Sequence, residues 1–419
     1  MFRRRIAVVI LIVGLAVTTA QAGGPVYSRF GIGDLYYFAG SRSYAMGGAG
    51  VGLFGDGFIN RINPAGLAGI TNTRFSGTFE YSNYSSTDPT GSARYARGDF
   101  GGLSVAIPVS QDYGVVLVGD LTPYSLVNYA VSRDATQLGI TSNQQFYGSG
   151  GISRFDFGSS ISIGNGLHAG LKINYLAGTI VQTTKLTFAD NSYSGNELTV
   201  SDHYSGISFT LGATYQGIGD LFGSAALKPL VLGIALETPA NLDLREEHFT
   251  STAQQYDTTS IRSSTADIPP FVVLGASYTF ADRYIIAADF AVQDWSNANT
   301  FGVHPAELRK SMRVGAGFEI LPAKDASTYW GHIIYRAGFY YNSSYIQVGD
   351  QITGVFHGVD GYSLTAGLGL PIGPDSHLNL GFQFGVNGTT QNNLQKDTIF
   401  RIIASISASE LWFVRIEED

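Results

Sequence analysis

From Thr73 onward the chain keeps returning to one pattern, apolar side chains at every second residue with small or polar residues between them. In Ile207-Ser208-Phe209-Thr210-Leu211-Gly212-Ala213-Thr214-Tyr215 the two sets separate cleanly, and Leu378 to Val386 alternate with Asn379 to Gly385 in the same way. Period 2 puts the sets on opposite faces of a sheet. The second face carries Gly, Ser, Thr and single charges at Arg154, Asp156, Lys172, Asp289, Arg313, Glu319, Arg336 and Arg401. A wet interior with lipid outside matches that division better than a soluble sandwich, and a sheet in lipid must close to satisfy its edges.

About fourteen such segments follow one another, near 73–84, 97–109, 113–128, 144–163, 166–185, 197–216, 226–245, 266–280, 283–295, 310–320, 331–342, 361–371, 376–387 and 397–413. Short connections at Gln111-Asp112, Gly164-Asn165-Gly166, Ala281-Asp282 and Gly373-Pro374-Asp375 alternate with long polar ones. The long ones are expected as loops over Ser85–Ala93, Val131–Asn143, Ala189–His203, Glu246–Asp267, Ser296–Leu308 and Asn342–Asp360. This predicts an all-β chain, a transmembrane antiparallel barrel of about fourteen strands over 73–419, with short turns on one side and long loops on the other.

The remainder of the composition agrees. No run reaches the ~18 apolar residues of a membrane helix. Charged residues are 14% of the chain, against ~25% in soluble domains. The absence of Cys rules out a disulfide framework and, with seven scattered His, leaves a zinc site without support. A net charge of −8 argues against a nucleic-acid surface. Residues 1–22 read as a signal peptide: Arg3 to Arg5, an apolar Ile6–Val17, and Ala20-Gln21-Ala22 as the cleavage site.

Residues 23–72 lack the strand pattern. Their centre, Ser43–Gly69, holds eight Gly in 27 residues and closes on Asn63-Pro64-Ala65-Gly66. Its apolar members Met46, Phe54, Phe58 and Ile62 would be costly to leave in water, so the segment is expected inside the wall as a plug. Pro64 fixes its own φ and drives Asn63 extended, which makes a rigid corner.

This layout resembles the FadL family of outer-membrane transporters for long-chain fatty acids and other hydrophobic compounds. The resemblance is carried by Ala45-Met46-Gly47-Gly48-Ala49-Gly50, Asp56, Asn63-Pro64-Ala65, the stretch Leu232 to Ala240, and Ile268-Pro269-Pro270 to Tyr278 with Asp289 to Trp295-Ser296. The final Arg415-Ile416-Glu417-Glu418-Asp419 lacks the closing aromatic residue of many such barrels and marks a distant branch. The resemblance implies a monomer in the outer membrane of a Gram-negative bacterium, without cofactor, with the lipid bilayer and a hydrophobic small molecule as partners. It implies a hatch whose gate residues are Met46, Gly47, Gly48, Asp56, Asn63, Pro64, Ala65 and Gly66, beside a kink in the third strand. Pro123 removes a ladder bond there, so a lateral opening is expected at Asp120, Leu121, Thr122, Pro123 and Tyr124.

Candidate pocket residues are Phe54, Phe58 and Ile62, with Arg61, Arg74 and Lys172 as carboxylate partners; Leu126, Val127, Tyr129, Ala130, Val131 or Phe188 are expected to capture ligand outside. Structural salt bridges are the plainer reading of the inward charges. Gly50-Val51-Gly52-Leu53-Phe54-Gly55 matches a dinucleotide fingerprint but has no βαβ context. The predicted function is passive uptake, not enzymatic. The alternatives are a barrel that docks or shuttles for protein secretion, and an embedded lipid hydrolase with a Ser–His pair assembled across strands.

Overall fold

The computed structural model describes residues 24–410 except 38–39, 138, 191, 253–255, 351–352, 374 and 393. The expected signal peptide, residues 1–22, and the chain end beyond Glu410 therefore lie outside the described residues. Fourteen antiparallel wall strands form one closed barrel. They are β1 (Thr73–Thr87), β2 (Ser92–Ser110), β3 (Val115–Gln137), β4 (Ile140–Gly164), β5 (Leu167–Phe188) and β6 (Asn196–Tyr215). Next come β7 (Leu230–Glu237, resuming as Ala240–Thr252) and β8 (Tyr256–Ile268, resuming as Phe271–Phe280). The last six are β9 (Tyr284–Asp294), β10 (Lys310–Ile320), β11 (Ile334–Gly349), β12 (Phe356–Gly373), β13 (Ser376–Gly388) and β14 (Lys396–Glu410). β14 pairs with β1 from Lys396–Thr87 to Glu410–Thr73, which closes the ring. The breaks in β7 and β8 fall at Thr238-Pro239 and Pro269-Pro270, where proline has no N–H to give the ladder.

Cross-strand apolar pairs circle the outside: Phe79–Phe100, Leu103–Leu121, Leu121–Phe155, Phe155–Tyr175 and Tyr175–Ile207, and on the far side Phe290–Val314, Leu364–Phe384 and Phe384–Phe400. Most of these residues are exposed in the isolated chain. A closed ladder with an apolar belt is what lipid requires of a sheet, and it makes this a transmembrane barrel of the outer-membrane type.

The strands outrun the expected boundaries. β4 has 25 residues and β3 23, whereas ~9–11 cross a bilayer. Of the six expected loops, only the one between Asp294 and Lys310 is long and irregular. Elsewhere the hairpins simply continue, and β3 and β4 stay paired up to Gln137–Ile140. Above the lipid the outer face meets water, so the apolar alternation fades although the ladder does not. The short side holds tight turns such as Asn165-Gly166 and Ala281-Asp282, with longer connections between β6 and β7 and between β10 and β11.

The outer half of the interior is solid. Tyr124, Val127, Tyr129, Ile152, Leu176, Ile180, Leu242, Leu244, Ile268, Trp295, Leu308 and Ile346 form one buried cluster, joined by Ile32 from the N-terminal segment. Below it that segment fills the barrel: Ala45, Met46, Ala49, Val51, Asn63, Ala65 and Leu67 are fully buried. It contains a one-turn helix (Ser41–Ala45) and a 3-10 turn (Pro64–Gly69) that leads into β1.

Backbone meets backbone where it touches the wall. A Cβ on Gly315 of β10 would lie 2.0 Å from the Gly47 carbonyl oxygen, and one on Gly338 of β11 2.3 Å from the Gly47 nitrogen. Gly47 itself has φ 64° and faces the Ala316 and Phe339 carbonyls. The inward glycines of the wall are thus the sockets of the inner segment. Gly315→Val is expected to destabilise the barrel by about 1–3 kcal/mol through overpacking. A lower temperature for loss of the folded band in unheated electrophoresis checks this, with Gly57→Val, which has open space around it, as the unchanged control.

Candidate functional site

The corner at Asn63 is built by its amide. Its Oδ1 accepts from the Ala65 N–H (3.1 Å), and its Nδ2 donates to the carbonyls of Val51 (3.0 Å) and Ala213 (3.0 Å). Gly170 of β5 and Gly212 of β6 make room for Pro64 and Asn63. The Asn-Pro-Ala corner therefore seats on β4 to β6, not beside Pro123. The glycine turn after Met46 is held on the opposite wall: Thr365 Oγ1 accepts from the Gly47 N–H (3.1 Å), and Asp289 Oδ2 accepts from the Gly50 (2.7 Å) and Val51 (2.9 Å) N–H groups.

Most inward charges hold this segment. Glu319 takes Arg42 at 2.7 Å and Arg336 at 3.0 Å, and Arg336 donates on to Asn379. Arg401 donates to Tyr44 (2.9 Å), Tyr84 (3.0 Å) and Ser82 (2.7 Å). Lys172 donates to the Arg61 carbonyl (2.7 Å) and to Asp156 (2.9 Å), with Asp120 at 3.7 Å. The salt-bridge reading of these charges fits, and neither Lys172 nor Arg74 is free to receive a ligand. Arg74 is paired with Asp56 at 3.0 Å where the segment joins β1. The Asp56 carboxyl is raised by burial, but hydrogen bonds from Thr71 and Arg74 outweigh this and hold it below its ordinary range. Arg42 and Asn60 did not stand out in the sequence, yet both are fasteners. Asn60 donates to the Gly50 (2.9 Å) and Leu53 (3.1 Å) carbonyls. An arginine among small residues of a segment destined for burial was the available signal, since a buried cation needs a partner.

One weak seam in the wall lies between β2 and β3. The β2–β3 ladder runs from Ser110–Val115 only to Leu103–Leu121. Beyond it β2 pairs with β1 alone, and the outer part of β3 turns its other side to β4, with a register shift between Pro123 and Ser125. Of the five expected opening residues, Asp120 and Leu121 are still zipped to β2, while Thr122, Pro123 and Tyr124 are past the end of the ladder. The N-terminal segment takes the vacant edge: Asp34 pairs with Leu126, Leu35 with Ser125, and the Tyr36 N–H donates to the Tyr124 carbonyl (2.9 Å). Ser28 bonds both the N–H and the carbonyl of Asn128 through its hydroxyl.

Two internal cavities flank these residues. One of about 60 Å³ lies against the seam, lined by Leu35, Tyr36, Tyr37, Arg61, Ile62, Pro123, Tyr124, Arg154, Glu237 and Phe271. The other, of about 140 Å³, is polar, with Asp34, Tyr44, Arg97, Tyr340, Asp397 and Arg401 among its walls. Burial pushes the Asp34 carboxyl up to about 6, although Arg97 works the other way. The expected pocket residues are not gathered in one place. Ile62 and Arg61 line the seam cavity; Phe58 lies under the Arg42 guanidinium, 4.0 Å to the ring centre; Phe54 stacks on His168 at 4.5 Å. Of the expected capture residues, Val127 and Tyr129 belong to the buried outer core, with Val131 packed against it, while Leu126 carries the Asp34 pairing.

Among the described residues no group of three or more His, Asp or Glu could hold a metal ion. One Ser–His pair does assemble across strands, Ser162 with His168 at 2.8 Å, but the ring's other neighbour is Phe54 rather than a carboxylate.

Several solved barrels share this architecture. The chain is 14% identical to the CymD monoaromatic hydrocarbon channel, with 90% of this chain and 99% of that one covered and a TM-score of 0.57. It is 15% identical to the Ralstonia pickettii toluene transporter TbuX, over 89% and 98% of the two chains, with a TM-score of 0.59. A Pseudomonas aeruginosa FadL homologue follows at 13% identity, 90% and 99% coverage and a TM-score of 0.58. At these identities the likeness is one of fold, and it fits a distant FadL-like branch. No curated protein matches the sequence. A family model described as BamG matches residues 1–418; the chain belongs to the BamG family.

Proposed function

We propose that the barrel passes hydrophobic small molecules across the outer membrane, sideways through the seam between β2 and β3. The observation that carries this reading is the exchange at that seam, where residues 34–36 replace β2 as the partner of β3. A few backbone bonds hold them, so this is the part of the wall that opens at least cost. The toluene and hydrocarbon channels of the same fold, by their descriptions, move molecules of this class. In the closed form the seam cavity of about 60 Å³ is well below the ~150 Å³ that admits benzene in an engineered apolar cavity. Ligand would therefore enter as residues 34–36 leave. Leu35, Tyr37, Ile62 and Phe271 would pack on its apolar body, and Arg61, whose two terminal nitrogens have no hydrogen-bond partner among the described residues, would meet the carboxylate of a fatty acid. Burial of each CH₂ gives about 0.8 kcal/mol, enough to drive capture without an energy source. On this reading the hatch element that moves is 24–37, while Met46–Gly48, Asp56 and Asn63–Gly66 stay as its fixed base.

A second reading, a barrel that docks a partner in protein secretion, is favoured by the solid outer interior. The hairpins of β3 to β8 also rise well beyond the belt as a paired platform. A disulfide from Leu35→Cys with Ser125→Cys separates the two. On the transport reading it abolishes uptake of a labelled hydrocarbon or fatty acid by cells, and reductant restores it. Uptake that proceeds at full rate with the bond formed would sink the seam mechanism and leave docking as the better account.

The raised Asp34 carboxyl adds a pH dependence. A carboxyl whose folded value lies above its unfolded value supports the docked state fully at low pH and loses that support as pH rises through about 6. Hydrogen-exchange protection of residues 24–37, corrected for intrinsic rate, is expected to fall between about pH 4 and pH 6.5 and to stay flat in Asp34→Asn.

A further inference from the structure

Above the seam lies a side groove of about 910 Å³ between the β1–β2 hairpin and the outer part of β3. One bank is Asp88–Tyr95, the other Ala130–Arg133, and Val26, Phe30, Val131 and Val348 supply its apolar surface. Three arginines, Arg29, Arg94 and Arg133, line it and are exposed. Among the described residues none of the three has a carboxylate at ion-pair distance; Arg29 lies over the Phe30 ring at 4.6 Å. The one acid in the groove, Asp88, is engaged by its own turn, accepting from the Thr90 (2.7 Å) and Gly91 (2.8 Å) N–H groups.

The β3 bank is also an open sheet edge. Ser28 bonds both backbone groups of Asn128, so the even-numbered residues turn their N–H and C=O away from β4. Ala130, Ser132, Asp134 and Thr136 continue that series without a partner on this side among the described residues. Four residues further down, the same edge already accepts an extended chain, in the antiparallel pairing of Asp34–Leu35 with Leu126–Ser125. An edge that bonds one strand presents the same groups to another.

We propose that this groove binds an extended acidic segment of a partner polypeptide, as an added strand on β3 next to residues 24–36. Successive side chains of a strand point to opposite sides. Val131 and Arg133 share one face of β3, so a segment alternating acidic and apolar residues would turn its carboxylates to that face, where Arg29 and Arg94 line the same groove, and its apolar side chains to the side of Ala130. The groove volume suits about six to eight residues, at ~3.3 Å of strand per residue along the edge. The proposal stands on the groove and its edge alone, and neither needs nor excludes transport through the seam below.

The test uses the full mature barrel in nanodiscs and a fluorescent ten-residue peptide of alternating Val and Asp. The expected result is saturable binding that the Val/Lys counterpart does not show. N-methylation of alternate peptide nitrogens, which blocks strand pairing and leaves the charge, should weaken it at least tenfold. Ser132→Pro, which removes an edge N–H that β4 does not use, should do the same, and Arg94→Glu with Arg133→Glu should shift preference to the Val/Lys peptide. Undiminished binding of the N-methylated peptide to the unaltered barrel would overturn the proposal, whatever the variants do. So would N-methyl-insensitive binding displaced by phosphatidylglycerol vesicles, which would reassign the arginines to anionic lipid headgroups.

Discussion

A sheet in lipid has no water to finish its hydrogen bonds, and the rest of this molecule follows from that requirement. It forces fourteen strands into a ring and puts β14 beside β1. It also makes the edge of β3 above Leu103–Leu121 costly to leave unpaired. The chain meets that cost with its own N-terminal segment, which lays Asp34, Leu35 and Tyr36 along the edge. The same segment fills the interior, so one piece of chain both completes the ladder and occupies the lumen.

The two tasks are held with very different strength. Between Ser41 and Gly69 the segment lies in glycine sockets and gives backbone N–H groups to Asp289 and Thr365, with Arg42 on Glu319 and Asn63 across to β6. Withdrawal would strand several buried polar groups, each costing about 1–3 kcal/mol, and would leave Glu319, whose side chain is 1% exposed, short of one of its two cations. Residues 24–37 hang on a short antiparallel pairing, the Ser28 hydroxyl, and the Tyr27 and Tyr345 side chains. If anything in the lumen yields to a ligand, the energetics favour this stretch over the glycine-rich centre. Gly47 and Gly52 let the segment approach the wall closely, whereas Gly55 and Gly57 have open space around them.

The wall was legible because period 2 is a direct record of which face meets lipid, and the belt residues Phe155, Tyr175, Ile207 and Leu364 all carry it. The outer parts of β3 to β8 were not, because the water above the membrane removes the apolar face that marks a strand while leaving the ladder intact. Val131–Asn143 reads as a loop and forms a hairpin for that reason. Within the interior the pattern named the charges but not their partners. Asn63 and Pro123 both looked like structural corners, and only the three-dimensional path shows that one sits on β5 and β6 and the other at the seam, with Arg61 between them. Its guanidinium donates to Ser104 on β2 at 2.6 Å, while its carbonyl accepts from Lys172 on β5. Phe54, Phe58 and Ile62 share an apolar character that suggested a pocket; a turning backbone of glycines sends them to three different neighbours.

The packed outer core decides the geometry of any passage. Trp295, Tyr345, Leu308 and Ile346 close the interior from the side of the Asp294–Lys310 loop, against Val127, Ile152 and Leu176 on the opposite strands. A path straight down the barrel axis would have to break this cluster, at a cost of about 1.5–3 kcal/mol for each large side chain exposed. It would then meet the fastened centre of the segment. The seam avoids the sockets and involves only part of the cluster, Ile32, Tyr124 and Val127, with Phe30 and Leu35 packed against it. Its outer continuation is the arginine-lined groove, and its inner one is the small cavity under Tyr36 and Tyr37. On the two proposals, a hydrophobic molecule and an extended peptide would both meet this barrel on the flank between β2 and β3, where residues 34–36 rather than β2 pair with β3.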